Sequence, residues 1–199
     1  MTVAVIGSLQ RMGRWAPDAR GRLQQAAMEL YTERGYDRTT TADIAERAGL
    51  SERTYFRHFA DKREVLFDST GRLEQLVVAG VRDAPADAAP LTAVAAGLDD
   101  GAQLLDSFGD DARARAAVVG GHPELAEREL AKLSAMARAV GEVLRERGVP
   151  DPAAALTAEA GVAVFRVAFE QWAVAPGRPP FPAVLTAALA ELRTAVAGG

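Results

Sequence analysis

Hydrophobic positions recur at helical spacing along most of the chain. Between Asp18 and Arg34 the residues Leu23, Ala26, Ala27, Leu30 and Tyr31 fall at i, i+3, i+4, i+7 and i+8, one stripe of an α-helix. Gly35 follows, where a left-handed residue closes a helix at little steric cost. Thr40 then caps a second helix, with Asp43 as its capping-box partner, and this helix runs to Ala48 and stops at Gly49. Ser51 caps a third helix from Glu52 to about Phe59, and Asp61 a fourth from Lys62 to about Arg82. The segment "RDAPADAAP", Arg82–Pro90, reads as a linker. Beyond it the pattern predicts helices near Leu91–Leu105, Asp110–Val119, Pro123–Arg147, Ala153–Ala173 and Phe181–Ala197, each break carrying a Gly or Pro. Val3–Ile6 is β-branched, but no strand pattern holds, and nothing repeats at a fixed period. The expectation is an all-α chain of about nine helices.

Composition narrows the classes. About half of the 199 residues are apolar, enough for a real core. There is no cysteine, so disulfides, thiolate metal sites and thiol catalysis are excluded; the composition fits a reducing cytoplasm. The N-terminus lacks the order of a signal peptide, and no run reaches the ~18 apolar residues of a membrane helix. The net charge of −4 argues against bulk attraction to nucleic acid, but it is uneven. Residues 1–68 carry 11 Lys/Arg against 10 Asp/Glu, and residues 69–199 carry 12 against 17. The N-terminal third thus has the sign a DNA-facing segment needs.

The stretch "TTTADIAERAGLSERTYFRHF", Thr39–Phe59, holds two short helices around a Gly-Leu-Ser hinge. A helix-turn-helix needs apolar inward faces, a Gly at the turn and a second helix free to enter the major groove. Ile44, Ala45 and Ala48 supply the first face, Gly49 the turn and Leu50 the wedge, while Phe56 and Phe59 anchor the second helix. Arg53, Thr54, Arg57 and His58 are left pointing outward. Thr40, Thr41 and Lys62 stand at helix starts, where free N–H groups favour phosphate. Spacing alone also fits a helical corner of an ordinary all-α protein whose charges simply face water.

The sequence "GRLQQAAMELYTERGYDRTTTADIAERAGLSERTYFRHFADKREVLF" resembles the DNA-binding region of the tetracycline-repressor (TetR) family of bacterial regulators, over about Arg14 to Asp68. The resemblance implies an N-terminal three-helix helix-turn-helix head and a helical ligand-binding and dimerisation body. Ligand binding in that body moves the fourth helix and changes the spacing of the two heads in a dimer. It divides the chain into a flexible arm, 1–13, a DNA-binding domain, 14–68, and a body, 69–199. Thr40 and Thr41 match phosphate-touching positions, Ser51 the cap of the recognition helix, and Arg53, Thr54, Arg57 and His58 its exposed positions. Lys62 matches the basic residue that pins the next helix to phosphate. The family often has Tyr at the position of Phe56, where the hydroxyl reaches the DNA backbone. Here either Tyr55 takes that contact over, or the contact is absent and Tyr55 is partly buried. Arg53 is the first candidate for a base-edge contact. Arg11, Arg14, Arg20 and Arg22 are candidates for a basic arm and a first-helix clamp.

Pocket candidates in the body are Leu76, Leu104, Phe108, Met136, Phe165, Phe169 and Trp172, each of which also fits ordinary core packing. Arg166, with Glu170 four residues on, reads as a helical ion pair or as a contact to an anionic ligand group. His122 reads as an exposed turn residue or a ligand contact. The last two helices carry Ala/Val/Leu faces suited to a four-helix homodimer interface. His58 and His122 are the only histidines, and no metal-binding, P-loop or dinucleotide motif is present, so neither an enzyme nor a cofactor is expected. The function expected is a repressor released from a double-stranded operator by a small hydrophobic or amphipathic effector. The alternative is a DNA-binding regulator with no such effector.

Overall fold

The first helix, α1 (Ala19–Arg34), buries the whole stripe that the pattern picked out: Leu23, Ala26, Ala27, Leu30 and Tyr31. It ends where Gly35 takes a φ of 88°. The computed structural model describes residues 19–67 and 70–197, and every element among them is a helix. The β-branched run at Val3–Ile6 lies outside the described residues.

α2 (Thr41–Arg47) starts in a complete capping box. Thr40 accepts the Asp43 N–H, and the Asp43 carboxylate accepts the Thr40 N–H. Gly49, at φ 65°, turns the chain into α3 (Glu52–His58), capped by the Ser51 hydroxyl accepting the Thr54 N–H. Asp61 caps the next helix as expected: its carboxylate accepts the N–H groups of Arg63 at 2.8 Å and Glu64 at 3.0 Å. Residues 62 and 63 form a turn, so helix begins two residues later than the pattern suggested, with α4 (Glu64–Phe67). α5 (Thr70–Asp83) completes the predicted fourth helix on the far side of residues 68 and 69.

The body continues with α6 (Pro90–Phe108), α7 (Asp110–Gly120), α8 (Pro123–Glu146), α9 (Ala153–Val174) and α10 (Phe181–Ala197), close to the predicted ranges. The expected linker at Arg82–Pro90 is a short pinned turn. The Arg147 guanidinium donates to the carbonyls of Ala84 at 2.8 Å and Pro85 at 2.6 Å. Two glycines let α5 and α6 touch backbone to backbone. A Cβ on Gly97 would stand 2.2 Å from the Val77 carbonyl oxygen, and one on Gly80 would stand 2.7 Å from Gly97 Cα.

The apolar residues form two cores. The head core joins α1–α4 and takes in Val119 and Leu125 from the body. The body core runs from Leu73 on α5 to Leu189 on α10. Arg115 ties the two together: it donates to the Leu66 carbonyl at 2.6 Å, forks onto Glu129 at 2.7 and 3.1 Å, and lies 5.0 Å from the Phe67 ring. Arg128 pairs with Glu64 across the same seam. α5 therefore leaves a head already braced against α7 and α8.

Candidate nucleic-acid interface

The orientation of α3 is set by its buried side. Tyr55 is fully buried and Phe59 nearly so, their rings 5.5 Å apart. The Tyr55 hydroxyl donates to the Asp61 carbonyl at 3.0 Å, and burial raises its pKa well above the usual phenol value. Of the two readings of Tyr55, burial is the one the structure supports, which removes it from the DNA-contacting candidates, and the expectation that Phe56 anchors the helix is corrected. Tyr55 is the anchor, its hydroxyl is engaged inside the head, and Phe56 is 52 % exposed. On a helix, positions 55 and 59 share a face that 56 does not, and the sequence alone did not tell the two aromatic neighbours apart.

The opposite face carries Arg53, Phe56 and Arg57, all exposed. The two guanidiniums hold no partner among the described residues, so their donors are free. Glu52, beside them, accepts a 2.6 Å hydrogen bond from the Thr41 hydroxyl, which links α3 to the start of α2. The Thr54 hydroxyl turns back onto the cap, 2.9 Å from Ser51 Oγ. His58 is half-buried at the C-terminal end of α3, and its Nε2 is enclosed without a hydrogen-bond partner. Of the expected recognition-helix residues, Arg53 and Arg57 thus lie fully on the outer face, with Thr54 and His58 at its margins.

Around this face several polar side chains are already engaged. The Thr40 hydroxyl lies 2.6 Å from the Asp43 carboxylate, and Arg34 approaches the same carboxylate at 2.7 Å. These hydrogen bonds, first from Thr40 and then from Arg34, lower the Asp43 pKa to about 2. Lys62 is half-buried. Its ammonium donates to the Tyr36 carbonyl at 3.1 Å and sits 4.0 Å from the Tyr36 ring centre. Arg22 donates to the carbonyls of Ala48 and, at 3.1 Å, Gly49, satisfying the C-terminal end of α2. Arg20 lies over the Phe59 ring at 5.3 Å. Arg11 and Arg14 lie outside the described residues.

The body candidates separate. Met136, Phe165 and Trp172 are buried in the core. Phe165, Phe169, Trp172 and Phe181 pack ring against ring at 5.2–5.6 Å. Trp172 donates its indole N–H to the Pro179 carbonyl at 2.9 Å, and Arg113 stacks on its ring at 4.1 Å. Leu104 packs against this core and Leu76 is half-buried. Phe108, expected to face inward, is 39 % exposed at the end of α6, a correction to its place among pocket residues. Arg166 pairs with Glu170 at 2.8 Å, as the ion-pair reading had it. It also borders a groove of about 210 Å³ between α8 and α9, lined by Leu130, Leu133, Ser134, Glu159, Val162 and Ala163. None of the other expected ligand residues lines that groove.

His122 is half-buried rather than an exposed turn residue. It precedes α8, its Nδ1 lies 2.8 Å from the Val118 carbonyl, and its ring meets the edge of Tyr36 at 5.0 Å. It belongs to the seam between head and body. Neither that role nor those of Arg115 and Arg128 leave a local signal, because their partners in the head, Tyr36, Leu66 and Glu64, lie tens of residues away in sequence.

Two family profiles match separate stretches of the chain. The profile of the bacterial regulatory proteins of the tetR family matches residues 23–68, and that of the MftR C-terminal domain matches residues 88–197. The chain is 37 % identical over 75 residues to the transcriptional regulator TcmR of Streptomyces glaucescens, covering 38 % of this chain and 33 % of TcmR. It is 37 % identical over 67 residues to the transcriptional activator FasR of Mycolicibacterium smegmatis, covering 34 % and 31 %. The match thus spans about a third of the length of these curated relatives. In fold, the chain is similar to the regulator FadR of Bacillus subtilis, solved with stearoyl-CoA. The TM-score is 0.64 at 16 % identity, covering 86 % of this chain and 96 % of that one.

Proposed function

This chain belongs to the TetR family of bacterial transcriptional regulators, and from that premise we propose that it is a repressor. It binds a double-stranded operator as a homodimer and is released by a small hydrophobic or amphipathic effector held in the body. Residues 14–68 act as the DNA-binding head, residues 69–199 as the body and residues 1–13 as an N-terminal arm. The observation that carries this reading is the outer face of α3. Two guanidiniums free of any partner among the described residues stand on a helix whose other face is locked into the head by Tyr55 and Phe59. A planar guanidinium with unused donors suits the bidentate acceptor pair of guanine or a phosphate. Arg53 reads base edges and Arg57 supports it. Thr40, Thr41, Ser51, Thr54, His58 and Lys62 shape and position this surface.

Pairing through α9 and α10 is supported by what those helices leave uncovered. Leu156, Ala163, Val167 and Val174 on α9, and Ala183, Ala187 and Ala190 on α10, are exposed at helical spacing. Small and branched apolar residues in such a stripe suit close helix packing between two copies.

For the effector, support comes from the groove beside Arg166 and from the stearoyl-CoA held by the Bacillus subtilis regulator of similar fold. The effectorless reading draws on the ring-to-ring packing of Phe165, Phe169, Trp172 and Phe181. A gel-shift with duplex flanking the chain's own coding region, run with a panel of amphipathic compounds, separates the readings. Release by a compound supports the effector. Retention with every compound favours regulation without one. No shift in low salt contradicts the DNA-binding proposal itself.

A further inference from the structure

From the geometry of α3 we infer that Phe56 is a specificity-determining residue that packs on the C5-methyl group of a thymine in the operator. The inference rests on the proposal that α3 enters the major groove, and it names what one position there recognises.

Phe56 is 52 % exposed. Arg53 lies three positions before it and Arg57 directly after it, both exposed. The three side chains share the outward face, because positions 53, 56 and 57 are neighbours on a helix. The phenyl ring is not loose: it meets the buried Tyr55 ring edge-on at 5.6 Å, and Tyr55 is itself held by the Asp61 carbonyl. An apolar ring is thereby presented between two cations that draw the face onto a polyanion.

The chemistry of the groove selects the partner. Phenyl has no donor, so it cannot hydrogen-bond a phosphate oxygen or a base edge. Every polar edge in the major groove would lose water against it without recompense. The thymine methyl is the apolar group the major groove displays, and Phe is among the side chains that contact it. A thymine adjacent to the base read by Arg53 is therefore favoured over cytosine.

The test uses duplexes enriched by the full-length protein from a random-sequence pool. Each thymine is replaced singly by deoxyuridine, which removes only the methyl, and affinity is read by fluorescence anisotropy. We expect one position per half-site at which uracil weakens binding about fourfold, the effect of uncovering roughly one buried methyl-sized group. Phe56→Ala should bind the thymine duplex more weakly and be indifferent to uracil at that position. The exposed location of Phe56 makes this variant a truncation without loss of core, and its melting temperature checks that. Enriched duplexes indifferent to uracil everywhere would overturn the inference and leave the DNA-binding proposal standing. So would an unchanged uracil penalty in Phe56→Ala. Failure to enrich any duplex would overturn both.

Discussion

Arg53 and Tyr55, two positions apart on one short helix, show how differently neighbours can act. Arg53 is exposed with free donors, whereas Tyr55 is sealed inside the head with its hydroxyl on the Asp61 carbonyl. Arg53→Ala should lower discrimination between enriched and random duplex by about 1–3 kcal/mol, with unchanged thermal stability. Equal losses on both duplexes would assign Arg53 to phosphate. Tyr55→Phe should do the reverse: DNA preference stays, and stability falls by about 1 kcal/mol in urea denaturation because the Asp61 carbonyl loses its donor. Lys62 mixes the two effects. Its ammonium serves the Tyr36 carbonyl and ring, so Lys62→Ala should cost about 1–2 kcal/mol of head stability besides any loss of DNA affinity. At this scale the sequence was legible where a residue acts locally. Thr40, Asp43 and Ser51 are capping residues because three positions along the chain decide a cap. It was not legible where adjacent aromatics compete for one core face, or where His122 meets Tyr36 across the seam.

At the scale of elements, helix ends and helix contacts set the geometry. The Thr40–Asp43 box holds the start of α2. Thr40→Ala should cost about 1 kcal/mol. The folded pKa of Asp43, about 2, lies below its unfolded value near ~4, so its contribution is complete above that value and is lost as pH falls toward 2. The melting temperature of the wild type should therefore drop more steeply between pH 4 and 2 than that of Asp43→Asn. Parallel curves would remove Asp43 from the account. The α5–α6 contact is set by glycine. A methyl on Gly97 would stand 2.2 Å from the Val77 carbonyl oxygen, so Gly97→Ala should cost about 1–3 kcal/mol as α5 is forced outward. Helix ranges were readable from periodicity with Gly and Pro stops. The backbone contact at Gly80 and Gly97 was not, because a glycine inside a helical pattern does not name the helix it touches.

The whole molecule joins a braced head, a helical body and an uncovered α9–α10 face. Wild type should run as a dimer in light scattering. Val167→Glu with Ala187→Glu should shift it to monomer while leaving helix content unchanged. A monomeric wild type would overturn the pairing. The caps and the helix-turn-helix pattern before residue 68 were legible. The body's interior was not: the same large apolar residues serve a core or a pocket, and spacing does not separate the two uses.

The central claim is that α3 reads sequence, and the ratio of affinities for enriched and scrambled duplex measures it directly. Anisotropy at about 0.15 M salt should give wild type a ratio of at least ~10³, which Arg53→Ala reduces. A wild-type ratio near one, with binding governed by salt alone, would contradict the account.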